Sequence, residues 1–187
     1  NVNWLMAIKD QSSLLALAQN SAGQFLDDEV ITLSKSGFSS TKTSGHNYFS
    51  QTDWSSGQFF QKSLNLEEAN PGGELQIKQI NGKYASMSQE WLESNTFDLG
   101  VSANFYRIKW NPSSQPLQVG LDSLKFQIAT NNDNSTWNFV GPDGNPNTYY
   151  TDPDSVISAG HNNNRYLRYK IYLITQDEDF TPKLQDI

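Results

Sequence analysis

The chain has 187 residues, 36% hydrophobic and only 18% charged, with a formal net charge of −7 and no cysteine. Phosphate recognition needs clustered Lys and Arg, and the 13 basic residues are spread along the chain, which argues against nucleic acid and against an anionic membrane surface as partners. The absence of cysteine removes thiol catalysis, zinc–thiolate sites and disulfides together.

No run reaches the roughly 18 apolar residues that span a bilayer. The start, Asn1-Val2-Asn3-Trp4, lacks a basic region followed by an apolar one, so the chain reads as a mature or trimmed piece. From Trp4 to Leu26 there is no proline, and the only glycine is Gly23. Leu5, Ile8, Ser12, Leu15, Ala18, Ala22 and Phe25 recur at spacings of three and four, which predicts a helix within residues 3–28 and an N-terminal element over 1–29. Small side chains on that face would allow close approach, which makes Leu15, Ala18 and Ala22 the expected self-association positions.

After Glu29 the period changes to two, and residues 30–187 read as one β-sandwich domain. Val30 to Leu33 is a first strand candidate, and a short piece follows at Tyr48-Phe49. Phe59 to Leu66, Glu74 to Ile80, Lys83 to Met87, Trp91 to Leu99 and Phe105 to Trp110 come next, with Asn81-Gly82 marking a tight hairpin. Beyond a polar loop through Pro112 and Pro116, strands are expected at Leu124 to Thr130, Trp137 to Val140 and Arg165 to Ile174. In the last of these, Leu167, Tyr169, Ile171 and Leu173 alternate with Tyr166, Arg168, Lys170 and Tyr172, giving an inward and an open face. The fold class expected is mainly β, a two-sheet antiparallel jelly-roll-like sandwich with one N-terminal α-helix.

Three stretches in the second half carry a family resemblance. Phe126 to Trp137 has the form strand, Asn-rich turn, then Thr-Trp; Asn164-Arg165-Tyr166-Leu167-Arg168-Tyr169 is an Arg-Tyr-hydrophobic-Arg strand; and Pro182 to Ile187 is a closing strand. In this order they resemble the discoidin-type, galactose-binding-like jelly rolls. The chain is similar more closely to uncharacterised modules of exported bacterial proteins, some of which follow a pilin-like N-terminal helix. Those share Thr52-Asp53-Trp54-Ser55-Ser56-Gly57, Pro71 to Leu75, and the Ser94, Phe97, Asp98, Gly100 pattern. The resemblance implies a fold and an extracellular or cell-surface location. It does not identify ligand-gripping residues, and the disulfide that often closes discoidin domains has no counterpart here.

Chemistry-bearing residues are sparse. His46 and His161 both fall in loop-like sequence with no His-x-x-x-His or His-Glu spacing, which argues against a zinc site or a triad. The acidic runs Asp27-Asp28-Glu29, Glu67-Glu68 and Asp177-Glu178-Asp179 read as solvated loops and strand ends. Asn131 to Asn134, Asp143-Gly144-Asn145, and Asp152 with Asp154 offer oxygen atoms to a structural calcium ion but lack the spacing of a regular calcium loop. No cofactor is otherwise expected. Flat aromatic faces suit pyranose rings, so Trp54, Tyr149 and Tyr150, near turns, are the expected stacking residues, with Asn162 and Asn164 as polar partners.

These features favour a non-catalytic extracellular structural subunit or pilin-like surface-filament protein, whose partners are its own copies or other surface proteins. The alternative is a carbohydrate-binding or adhesion module whose partner is a glycan. The residues present give no reason to expect membrane contact.

Overall fold

The computed structural model describes residues 3–10, 13–19, 48–67 and 73–187. The chain divides into two compact units, Asn1–Phe49 and Ser50–Ile187.

In the first unit, strands β1 (Asn3–Asp10) and β2 (Ser13–Gln19) pair antiparallel, with Trp4 opposite Ala18, Ala7 opposite Leu15 and Asp10 opposite Ser13. This corrects the expected helix over those residues. A nearly continuous apolar stretch satisfies a three-to-four spacing and a strand pattern at once, so spacing alone does not separate them. The polar sequence Asp10-Gln11-Ser12-Ser13 divides the stretch in two. Its side chains compete with a helical backbone for hydrogen bonds and so favour a break there. Leu15 and Ala18 therefore lie on a strand, not on one face of a helix. Ala22, the remainder of the expected helix and the Val30 to Leu33 strand lie outside the described residues.

The second unit contains β3 (Phe59–Lys62), β4 (Leu66–Glu67), β5 (Leu75–Ile77), β6 (Gln79–Ile80), β7 (Lys83–Tyr84), β8 (Glu90–Ser94), β9 (Phe97–Ala103), β10 (Arg107–Ile108), β11 (Leu124–Asn131), β12 (Ser155–Val156), β13 (Asn164–Leu173) and β14 (Lys183–Leu184). Every pairing among them is antiparallel. The main sheet runs β11-β13-β8-β3, with β9 also on β13, and a second sheet runs β14-β5-β4. Among the described residues the only helical pieces are the 3-10 turns Leu117–Val119 and Ala159–His161. Asn81 and Gly82 adopt φ of 54° and 81°, the positive values that a two-residue hairpin of this kind requires, and they close β6 onto β7.

Both sheets bury their apolar faces in one core. Leu66, Leu75, Ile77 and Leu184 come from the smaller sheet, and Leu92, Phe126, Ile128, Tyr169, Ile171 and Leu173 from the larger. The alternation expected on the longest strand holds: Tyr169, Ile171 and Leu173 are buried, and Leu167 packs against the cluster at its margin. The stretch expected as a strand over Trp137 to Val140 makes only a single bridge, Val140 to Ile128. Tyr48 and Phe49 form no strand and are exposed.

At one end of the main sheet the connecting loops hold a buried histidine. The His161 ring is enclosed, Nδ1 lies 3.0 Å from Thr130 Oγ1, and Nε2 has no hydrogen-bond partner among the described residues. Burial holds its pKa below the ordinary 6.5. The unfolded chain takes up this proton first, so stability is fully present above 6.5 and declines as the pH falls toward the lowered folded value. Urea denaturation from pH 7.5 to 5 should show that decline, and His161→Phe should remove its contribution. An unchanged slope in the variant would place the titrating group elsewhere.

Candidate functional site: a cleft beside the start of β11

The loop between β10 and β11 folds over the end of the main sheet and is pinned at several points. Asn111 Nδ2 donates to both carboxylate oxygens of Asp186 at 3.0 Å, and the Gln185 amide donates to the Asn111 carbonyl at 2.7 Å. Gln115 copies a strand partner: its Nε2 donates to the Lys183 carbonyl at 2.9 Å, and its Oε1 accepts from the Lys183 amide at 2.8 Å. The 3-10 turn Leu117–Val119 then stops at Gly120, whose φ of 89° and ψ of 174° only glycine adopts readily. A Cβ at Gly120 would also lie 2.5 Å from Cδ of Gln176. Glycine is thus required for both the turn and the seat of the Gln176 side chain.

The result is a cleft of about 460 Å³ with Trp110 and Leu124 at its inner side and Pro112, Pro116 and Pro153 among its walls. Leu117 and Leu121 border it while remaining 96% and 91% exposed, unusual for leucines in an ordered loop. Apart from Gln115, much of the polar lining is uncommitted. Ser113, Asp122, Thr151 and Gln176 form no side-chain hydrogen bond with any described residue. Trp110 and Ser123 are largely buried where they border the cleft.

Elsewhere, polar loop groups are engaged. The Asp133 carboxylate accepts from the Thr136 and Ser135 amides and the Thr136 hydroxyl, which hold it well below the usual carboxylate range. Asp143 accepts from the Thr148 hydroxyl and the Asn145 amide, with the same effect on its pKa. These two carboxylates, expected as candidate calcium ligands, thus close their own turns. Among the described residues no group of three or more acidic or histidine side chains is placed to hold a metal ion.

The expected stacking residues do not converge. Trp54 is 1% exposed in the core, with Nε1 donating to the Gln185 carbonyl at 3.1 Å. Tyr150 is also 1% exposed; its hydroxyl accepts from the Ser158 amide at 3.1 Å and its backbone bridges Phe126. Neither offers a free ring face. Tyr149 points the opposite way, as its neighbour in an extended chain must, and meets Tyr172 edge-on with ring centres 5.2 Å apart. Asn162 accepts from the Phe105 amide at 2.9 Å, and Asn164 Nδ2 donates to Thr130 Oγ1 and the His161 carbonyl. They stitch loops at the other end of β13, away from Tyr149 and Tyr150, whose loop flanks β11.

The outer face of the main sheet is a ladder of cations and rings. The Arg168 guanidinium lies 4.2 Å from the Phe60 ring centre and 4.3 Å from that of Trp137. Lys170 Nζ sits 4.2 Å over Trp91, and Lys125 Nζ 4.2 Å over Tyr149. Each ring is thus capped by a cation, which leaves this face less suited to stacking a sugar than its composition implies.

The chain matches no family model, no curated protein and no solved structure.

Proposed function

We propose that this protein is a non-catalytic carbohydrate-binding or adhesion module of an extracellular or cell-surface protein, built on a galactose-binding-like jelly roll. Its glycan site is the cleft between Trp110, Asp122, Thr151 and Gln176. One observation carries this reading: the cleft gathers several polar side chains that have no hydrogen-bond partner among the described residues against apolar walls, while the Asp133 and Asp143 loops consume theirs in turns. A sugar ring has the matching chemistry, with an apolar face edged by hydroxyls. The non-catalytic part is supported by the pairing of two carboxylates on the main sheet with arginines, which leaves Asp122 as the lone carboxylate lining the cleft. Asp98 is held by Arg165 at 2.7 Å and Glu93 by Arg168 at 2.8 Å.

The filament-subunit reading ranks second. It drew on an N-terminal helix, and the described part of that stretch forms β1 and β2 instead.

A glycan array followed by calorimetry tests the proposal. Gln176→Ala and Thr151→Val should each weaken binding about fivefold, the scale of one lost hydrogen bond. Tyr149→Ala, on the outer face, should leave it unchanged. Binding that ignores the cleft variants and disappears with Tyr149→Ala would move the site to the ladder.

A further inference from the structure

We infer that the cleft selects a sugar carrying a positive charge, a deacetylated 2-amino hexose, over neutral and acidic sugars; this deepens the glycan reading and rests on it. Asp122 is the only charged side chain in the lining, and its carboxylate makes no hydrogen bond or ion pair with any described residue. Among the described residues no Lys or Arg lines the cleft. Lys183 is drawn to Glu74 at 2.8 Å, while Arg107 and Lys109 reach Asp154 at 3.1 and 3.5 Å.

An acidic sugar would meet this charge uncompensated. A neutral sugar leaves the carboxylate with ordinary hydroxyl donors. An ammonium group supplies a charge-assisted hydrogen bond, shorter and stronger than a neutral one. The remaining polar groups suit the rest of such a ring. The indole N–H of Trp110 can donate to a hydroxyl oxygen, and the hydroxyls of Ser113, Ser123 and Thr151 can donate or accept.

The test titrates the full chain with fully deacetylated glucosamine oligosaccharides and their N-acetylated counterparts at pH 6 and low salt. Asp122 is exposed, so the deacetylated oligomers should bind at most about fivefold tighter, the upper scale of one exposed ion pair, and the advantage should fade in high salt. Asp122→Asn should abolish the preference, because asparagine tolerates the positive φ of 52° at this position and keeps the loop folded. Equal binding of both oligomers, sensitive to Gln176→Ala, would overturn charge selection while leaving the cleft as a glycan site. A preference that survives in Asp122→Asn would overturn the assignment to Asp122. Binding of neither oligomer, in a chain that binds no other glycan, would overturn the cleft reading and this inference together.

Discussion

Replacing Ile171 with alanine should destabilise the protein by about 2–5 kcal/mol, whereas the same change at Lys170, one residue earlier, should cost no more than about 1 kcal/mol. The contrast follows from the pleat. Ile171 is fully buried at the centre of β13, opposite Phe126 on β11 and Leu92 on β8, and these three side chains belong to the shared core. Truncation there removes buried methyl groups from contact on both sides and leaves a cavity that paired strands cannot easily collapse. Lys170 points to the other face, where its charge rests over Trp91 and stays within reach of water. Chemical denaturation should show the Ile171→Ala midpoint falling with the denaturant slope unchanged. Comparable losses at the two positions would mean that the faces of β13 are not separated as described.

That alternation was legible in the sequence because β13 is long and half-buried, the case in which a period of two is cleanest. The Asn81-Gly82 hairpin was legible for a similar reason, since few residue pairs adopt two successive positive φ angles. The first residues were not. Trp4 to Ile8 and Leu14 to Ala18 are each so uniformly apolar that helix and strand patterns both fit, and the antiparallel partner that decides between them is non-local information. The candidate site was also hidden. Trp54 and Tyr150 stand next to turn-forming residues, yet proximity to a turn in sequence does not set the direction of a side chain, and both point inward. The cleft residues are separated by more than fifty positions, from Trp110 to Gln176, and come together through the pairing of β11 with β13 and the bonds from Asn111 and Gln115 to the last residues. The one local signal was Leu117 and Leu121, apolar residues in a loop with no periodic element to absorb them.

Arg168→Ala should destabilise the fold by about 3–5 kcal/mol, far more than an exposed ion pair would imply. The Arg168 and Glu93 side chains are only 12% and 7% exposed, and Arg168 Nη1 donates to Glu93 Oε1 at 2.8 Å. Glu93 Oε2 accepts from Gln61 at 2.9 Å, and Arg168 Nε donates to Thr96 Oγ1 at 2.8 Å, so the pair links β3, β8 and β13 and the turn beyond β8. Removing the guanidinium strands a carboxylate away from water and takes the filler from between Phe60 and Trp137. Most of the penalty comes from the stranded charge, and that part is separable. Glu93→Gln placed on top of Arg168→Met should recover stability relative to Arg168→Met alone, because a neutral amide tolerates the site better than a bare carboxylate. Urea denaturation of the two single variants and the double variant gives the coupling directly. A coupling near zero, or a loss for Arg168→Ala below about 1 kcal/mol, would show that water reaches the pair and that the ladder is surface decoration. A large coupling would make the outer face a structural element, leaving the cleft beside β11 as the part of this unit free to meet a ligand.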